Sequence, residues 1–366
     1  MKNVRMPLAI AVTIMLFSCV EGHGKGTLKS NVHLGMAFPP ISREAAREMT
    51  AKALKELNIK WLRTEIHWRT IEEKKGQYNW SGLDAKMKWI ADNNLNAVMT
   101  IATAAPDWAA LEKNEKSAVY RNTDDFRTFV TAVARRYADR IKIVQYGNEW
   151  HGVHWFIGTP EQFVEYNNIA YDVFKQHSPT TRFCLGGFAT GSLRAMSLYN
   201  GKIGSYRHGI TGEIVTREKW DRAGKKQKKK IDQAAQRITH VARNAKYDMV
   251  DIHLYDDPEN WKIYHDMVKE LCGNKKVIVT EFGGPNQKYQ KYDEDFHVKE
   301  LRKYIEAIDS LDIKIALHFY MVEGDALHGK SALFRIDGKD PSSALGLKIV
   351  KKKTWAVLYE YSKNQN

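Results

Sequence analysis

Two glutamates in matching surroundings are the first residues whose chemistry stands out. Tyr146-Gly147-Asn148-Glu149-Trp150 and Val279-Thr280-Glu281-Phe282-Gly283 each close an apolar run. Two carboxylates facing each other can divide labour, one giving a proton while the other stays ionised, and glycosidic bond cleavage needs that division. A lone Glu at the end of a strand is ordinarily a solvated loop carboxylate; a pair with Asn148 beside one member is less easily dismissed. Polar residues also interrupt runs that an apolar core would fill. Arg63 with Glu65, Asp251 with His253 and Tyr255, and His318 with Tyr320 fall at two-residue steps, so each set shares one face of a strand. Asp251 and His253 could equally be a structural pair, a buried His satisfied by a carboxylate. No Cys, His and carboxylate cluster has zinc spacing and no Gly-rich phosphate loop occurs, so neither a metal nor a cofactor is expected.

The elements that must position these residues alternate eight times between short apolar runs and helical patterns. VHLGMAF from Val32, WLRTEIHW from Trp61, AVMTIAT from Ala97 and IVQYGNEW from Ile143 read as strands one to four. RFCLGGFAT from Arg182, MVDIHLYDD from Met249, KVIVTEFGG from Lys276 and KIALHFYMVE from Lys314 read as five to eight. Amphipathic segments such as Phe126 to Arg140 and Glu161 to Gln176 lie between them, so the strands must be parallel. Eight such units close into a (β/α)8 TIM barrel, an α/β fold with a single domain spanning 31–366. An open doubly wound sheet would show a Gly-rich first turn, which Phe38-Pro39-Pro40-Ile41-Ser42 is not. The last helix is expected over Ser342 to Ser362. The connection from Gly191 to Gly224 is longer than the others and by position overhangs the mouth. In such a barrel reactive residues gather at the carboxyl ends of strands, where Glu149 and Glu281 would face one another from strands four and seven.

These motifs resemble the retaining (β/α)8 glycoside hydrolases of clan A, which include cellulase-type and β-xylosidase-type families. The resemblance implies that Glu149 is the acid/base, Asn148 the ligand of the sugar 2-hydroxyl, and Glu281 the nucleophile. It further implies that Arg63 lies near the nucleophile and that Tyr255 hydrogen-bonds it. Ala104-Ala105-Pro106-Asp107-Trp108 looks like the Pro-Trp turn of the clan. Strand eight departs from the pattern: His318-Phe319-Tyr320 stands where many members carry the Trp beneath the sugar. With these roles, burial beside a second carboxylate is expected to raise the pKa of Glu149 relative to Glu281.

Independently of the resemblance, Trp68, Trp108, Trp150, Trp155, Trp220 and Trp261 fall at or after strand ends. There their indoles could stack on sugar rings, although loop packing would account for about half of them. The candidate substrate-binding set is thus Asn148, Arg63, Tyr255, His253, Trp108, Trp150, His318 and Phe319. The partner is expected to be a polysaccharide or its oligosaccharides, met by a monomer outside the cytoplasm. A catalytically idle barrel serving as a surface glycan-binding lipoprotein is the alternative, but it has no use for both glutamates. A lyase would want a Tyr, His or Lys base, for which Tyr255 and His253 are candidates.

Composition is that of a globular protein, 43% hydrophobic and 27% charged. Much of the net charge of +14 lies in Lys225 to Lys230 and Lys351 to Lys353, both beside helical patterns, so solvated helix faces are expected rather than a nucleic-acid surface. Arg69, Arg121, Arg194, Arg207 and His208 near the mouth make an anionic glycan conceivable. Cys184 and Cys272 could pair, but read more simply as buried small hydrophobes. Lys2 and Arg5 precede an apolar run from Met6 to Phe17, too short to span a bilayer. Leu16-Phe17-Ser18-Cys19 resembles a bacterial lipobox, which implies a lipoprotein signal peptide over 1–18 and a lipid on Cys19. A spacer over 19–30 would then tether an exported, membrane-anchored domain, on the periplasmic side of the outer membrane or at the cell surface.

Overall fold

The computed structural model describes residues 28–288, 290–324 and 327–363. The expected signal peptide, Cys19 and most of the spacer lie outside the described residues. Eight strands form a closed barrel: β1 (His33–Ala37), β2 (Trp61–Ile66), β3 (Asn96–Ile101), β4 (Ile143–Tyr146), β5 (Arg182–Phe188), β6 (Met249–Tyr255), β7 (Lys276–Gly283) and β8 (Ile313–His318). Each is hydrogen-bonded in parallel to its sequence neighbours, and β1 closes on β8. All eight runs expected to be strands are strands of this barrel.

Alternation along the strands builds two apolar layers. Inside the ring Ala37, Val98, Ile143, Cys184, Met249, Ile278, Ile315 and Leu317 make a small core that fills the lower barrel. Outward-facing residues such as Leu62, Met99, Val144, Ile252 and Val279 pack under the helices. The helices start where local chemistry tells them to. Pro160–His177 opens with a capping box, Thr159 Oγ1 accepting from Gln162 N while Gln162 Oε1 accepts from Thr159 N. Asn122 caps Thr123–Tyr137 by accepting from Asp124 N. Cys184 and Cys272 are free and buried. No helix among the described residues is long and apolar enough to cross a membrane.

One expectation needs correction. The last helix spans only Lys353–Ser362, because Phe334–Lys339 and Leu347–Lys351 form an antiparallel hairpin before it. The polar turn between those strands fits an amphipathic helix pattern about as well, which is how it escapes a periodicity reading. The long connection after β5 is likewise structured. It contains helix Thr190–Tyr199, a hairpin of Ser205–Arg207 with Ile214–Thr216, and helix Arg217–Arg222, ahead of the return helix Lys225–Asn244.

Candidate active site

Strict alternation would turn Glu281 out of the barrel, since Ile278 and Thr280 already point in. A β-bulge prevents this: Ile252 of β6 pairs with Val279 but His253 pairs with Glu281, so Thr280 is the extra residue. Thr280 and Glu281 both reach the interior. The bulge is held by Asp251, whose carboxylate accepts from Thr280 N at 2.8 Å and from Thr280 Oγ1 at 2.5 Å. Of the two readings open for Asp251, the contacts place it in the structural one, supplying the partner that a freed backbone N–H needs.

Glu149 is placed by a different device. The strand ends at Tyr146, Gly147 follows with φ of 72°, and Glu149 itself has φ of 42°. A side chain at Gly147 would have its Cβ 2.9 Å from Phe163, so the turn requires glycine in both conformation and space. A non-glycine residue in the left-handed region is the kind of strain that concentrates at functional sites. Trp150 then anchors the loop from beneath, fully buried, stacked on Phe163 and donating to the carbonyl of Gly186 at 2.9 Å.

Between the two glutamates lies a buried network. Arg63, which has no exposed surface, donates to Glu281 Oε1 at 2.7 Å, Asn148 Oδ1 at 2.6 Å and Thr100 Oγ1 at 3.0 Å. Tyr255 donates its hydroxyl to Glu281 Oε2 at 2.7 Å. His253 Nδ1 lies 2.9 Å from Glu149 Oε1 and 3.6 Å from Glu281 Oε2. Its ring fits because position 187 is glycine, where a Cβ would stand 2.2 Å from Nε2. Oxygen atoms of Glu149 and Glu281 and a ring nitrogen of His253 all lie within 4.8 Å of one another. That is a donor set a cation could use, but Arg63 and His253 already bring positive charge to it.

The charge states reverse one expectation. Burial would raise Glu149, yet the hydrogen bond and charge of His253, with help from His151 and Arg63, outweigh it and hold the carboxyl below its usual range. Burial pushes Glu281 up against the pull of His253 and Arg63, and the charge of Glu149 adds to the rise. The neighbouring carboxylate alone would favour the neutral acid, but the imidazole lodged against Glu149 outweighs it. Burial opposes the charge on His253 as well, but Glu281, Asp251 and Glu149 prevail and lift it to about 10. The pair His253 and Glu149 therefore shares a proton that sits on the imidazole.

A cavity of about 590 Å³ opens above this network, lined by Asn148, Glu149, Glu281, Phe319, Tyr320 and Trp155, with Phe38, Glu65, His67 and Lys116 around them. It occupies the β8 to β4 side of the mouth. Of the predicted binding set, Asn148 and Phe319 line it, while Arg63, Tyr255 and His253 form the network under its floor. Trp108, Trp150 and His318 do not reach it. Trp108 donates to the carbonyl of Glu72 and packs edge-on against Trp68. His318 points out of the barrel, meeting Phe282 edge-on, and burial holds its pKa down at about 3. Trp68, Trp220 and Trp261 are buried as well, leaving Trp155 as the tryptophan of the six that lines the cavity. The basic residues expected at the mouth are absent from its lining; Arg194 is buried against Asp257 at 2.8 Å.

Residues 38–127 match the glycoside hydrolase 42 family, described as beta-galactosidase. Among solved structures, the apo β-glucosidase 1317 is 16% identical, with 88% of each chain covered and a TM-score of 0.62. The family 1 β-glucosidase from Thermotoga maritima is 14% identical over 93% of this chain and 99% of its own, with a TM-score of 0.62. The exo-β-1,4-mannosidase from Opitutaceae bacterium strain TAV5 is 13% identical over 93% of this chain and 61% of its own, with a TM-score of 0.61. No curated protein sequence matches the chain. At such identities the solved structures share its fold, and their differing sugars leave the sugar of this chain open.

Proposed function

We propose that this glycosidase, a (β/α)8 hydrolase of clan A type, retains anomeric configuration, with Glu281 as nucleophile and Glu149 as acid/base. The observation that carries the reading is the separation of the two carboxylates, whose nearest donor atoms lie within 4.8 Å. Retaining pairs stand about 5 to 5.5 Å apart, whereas inverting pairs need about 6.5 to 9.5 Å to admit a water between carboxylate and sugar. The substrate is an oligosaccharide or polysaccharide outside the cytoplasm, reached by an exported chain anchored through Cys19.

In the first step Glu281 attacks the anomeric carbon and the aglycone oxygen takes a proton from Glu149. Arg63 and Tyr255 orient Glu281 by holding one oxygen each. As the carboxylate becomes an ester its charge is lost, and with it the largest support for the charge on His253. The imidazole releases its proton to Glu149 at 2.9 Å, and it is this proton that Glu149 passes to the aglycone oxygen, so nucleophilic attack and acid catalysis are electrostatically linked. In the second step Glu149 takes a proton from water, which attacks the same carbon and frees Glu281; as the charge on Glu281 returns, the proton passes from Glu149 back to His253. Proton NMR of the first product, read before mutarotation, tests the scheme: the anomer of the substrate is expected, and an inverted anomer would make Glu281 a base acting through water.

A further inference from the structure

The cavity wall after β3 holds a cation that the chemistry above does not use. Lys116 sits in the turn between the strands Ala110–Lys113 and Ala118–Tyr120, and its ammonium lies 4.1 Å from the centroid of the Trp155 ring. The two residues are built to meet. One hydroxyl, Thr103 Oγ1, donates to the carbonyl of Trp155 at 2.8 Å and lies 3.1 Å from that of Lys116. Ser117 Oγ accepts from Ile157 N at 3.1 Å, stitching the same turn to the same loop, and Asn114 Oδ1 fixes the amide of Lys116 at 2.8 Å.

Among the described residues Lys116 has no carboxylate partner, whereas nearby Lys75 and Lys113 are paired with Asp125 and Asp107. The other cavity carboxylates are largely engaged: Glu65 with His67, Glu149 with His253, and Glu281 with Arg63 and Tyr255. Glu115 also lines the wall, exposed to solvent and without an ion pair to Lys116. A lysine held over an indole gains from the ring's negative face and still presents its N–H groups to a ligand.

We propose that the substrate is an anionic glycan, and that Lys116, seated on Trp155, binds a carboxylate or sulfate of one saccharide unit within the cavity. The proposal rests on the glycosidase reading and deepens it.

The experiment compares a hexuronate oligomer, a sulfated galactan oligomer and a neutral oligomer of equal length. For the wild type, kcat/KM on at least one acidic oligomer is expected to exceed that on the neutral one and to fall with added salt. Lys116→Met is expected to reduce the acidic-to-neutral ratio about tenfold, as for loss of one charge-assisted hydrogen bond. Which acidic oligomer responds identifies the anion. A wild-type preference for the neutral oligomer, or a Lys116→Met loss equal on all three, would overturn the proposal. Calorimetric binding to Glu281→Gln protein separates it from the parent reading. Lys116-dependent binding of an acidic oligomer that the wild type never cleaves would uphold this site and sink the hydrolase. Hydrolysis of the neutral oligomer alone would do the reverse.

Discussion

His253→Gln is the perturbation that the site answers most directly. On the proposed mechanism the proton for the leaving group resides on the pair formed by His253 and Glu149, and His253 keeps it until the pH passes about 10. A group with a raised pKa holds its proton below that value and loses it above, so activity on a substrate with a poor leaving group should persist well above neutrality. Glutamine keeps a polar side chain but removes the cation. Two unit charges about 4 Å apart in a medium of effective dielectric about 20 interact by about 4 kcal/mol. Glu149 therefore loses the main support of its anion. Its pKa rises from below the usual carboxylate range, and it becomes the sole holder of the proton. The alkaline limb of kcat/KM, near pH 10 in the wild type, should accordingly move well down towards the carboxylate range. The assay is a pH series on an alkyl glycoside, with an activated aryl glycoside as control because its departure needs little acid help. Superimposable alkaline limbs in the two proteins, or a wild-type limb below neutrality, would refute the shared-proton argument.

Glu149→Ala should depress turnover of alkyl glycosides far more than of activated aryl glycosides, and equal losses would remove Glu149 from the acid role. Asp251→Ala leaves the buried Thr280 N–H without its partner, which should cost about 1 to 3 kcal/mol in urea unfolding. Because the bulge aims Glu281, kcat should fall with KM little changed; an unaltered kcat would confine Asp251 to the fold. Cys19→Ala should release the protein from the membrane fraction with the specific activity of the folded domain intact, and retention after a high-salt wash would end the lipid-anchor reading.

The barrel was legible because eight apolar runs alternate with helical patterns, a period that few other folds reproduce. The two glutamates were legible because both stand at strand ends. What hid the rest was loss of period at those same ends. β4 stops at Tyr146, and the positive φ at Gly147 and Glu149 turns Trp150 underneath rather than into the mouth. β8 points Ile315 and Leu317 inwards and Phe319, just past its end, packs on them, so His318 belongs to the outer layer, and Tyr320 reaches the cavity only because the strand has already ended. The bulge at Thr280 is invisible in a residue string, although the Thr before Glu281 and the Asp two residues before His253 are its working parts. Lys116 carried no periodic signal at all, being one exposed lysine in a short turn.

The connection after β5 shows how excess chain length can act on a site it does not line. Thr190 Oγ1 donates to the carbonyl of His253 at 2.7 Å and accepts from Tyr255 N at 3.0 Å. Arg194 donates to the carbonyl of Tyr255 at 2.6 Å and pairs with Asp257, which like Asp256 has a positive φ. Helix Thr190–Tyr199 is thus a clamp on the carboxyl end of β6, the strand that supplies the imidazole for Glu149 and the phenol for Glu281. Asn286, in the loop after β7, donates to the carbonyl of Gly209 in the hairpin that follows, so the insertion reaches across the β5 to β7 side of the mouth. The cavity beside the two glutamates lies on the other side. Buried hydrogen bonds and an ion pair hold the insertion in place, since breaking any of them leaves a polar group without a partner. On the proposed function, substrate length and direction are set by the β8 to β4 half of the rim, where Phe319, Tyr320, Phe38, Lys116 and Trp155 stand. Loop exchange meant to alter specificity should act there, while shortening the β5 connection should disturb catalysis first, through His253 and Tyr255.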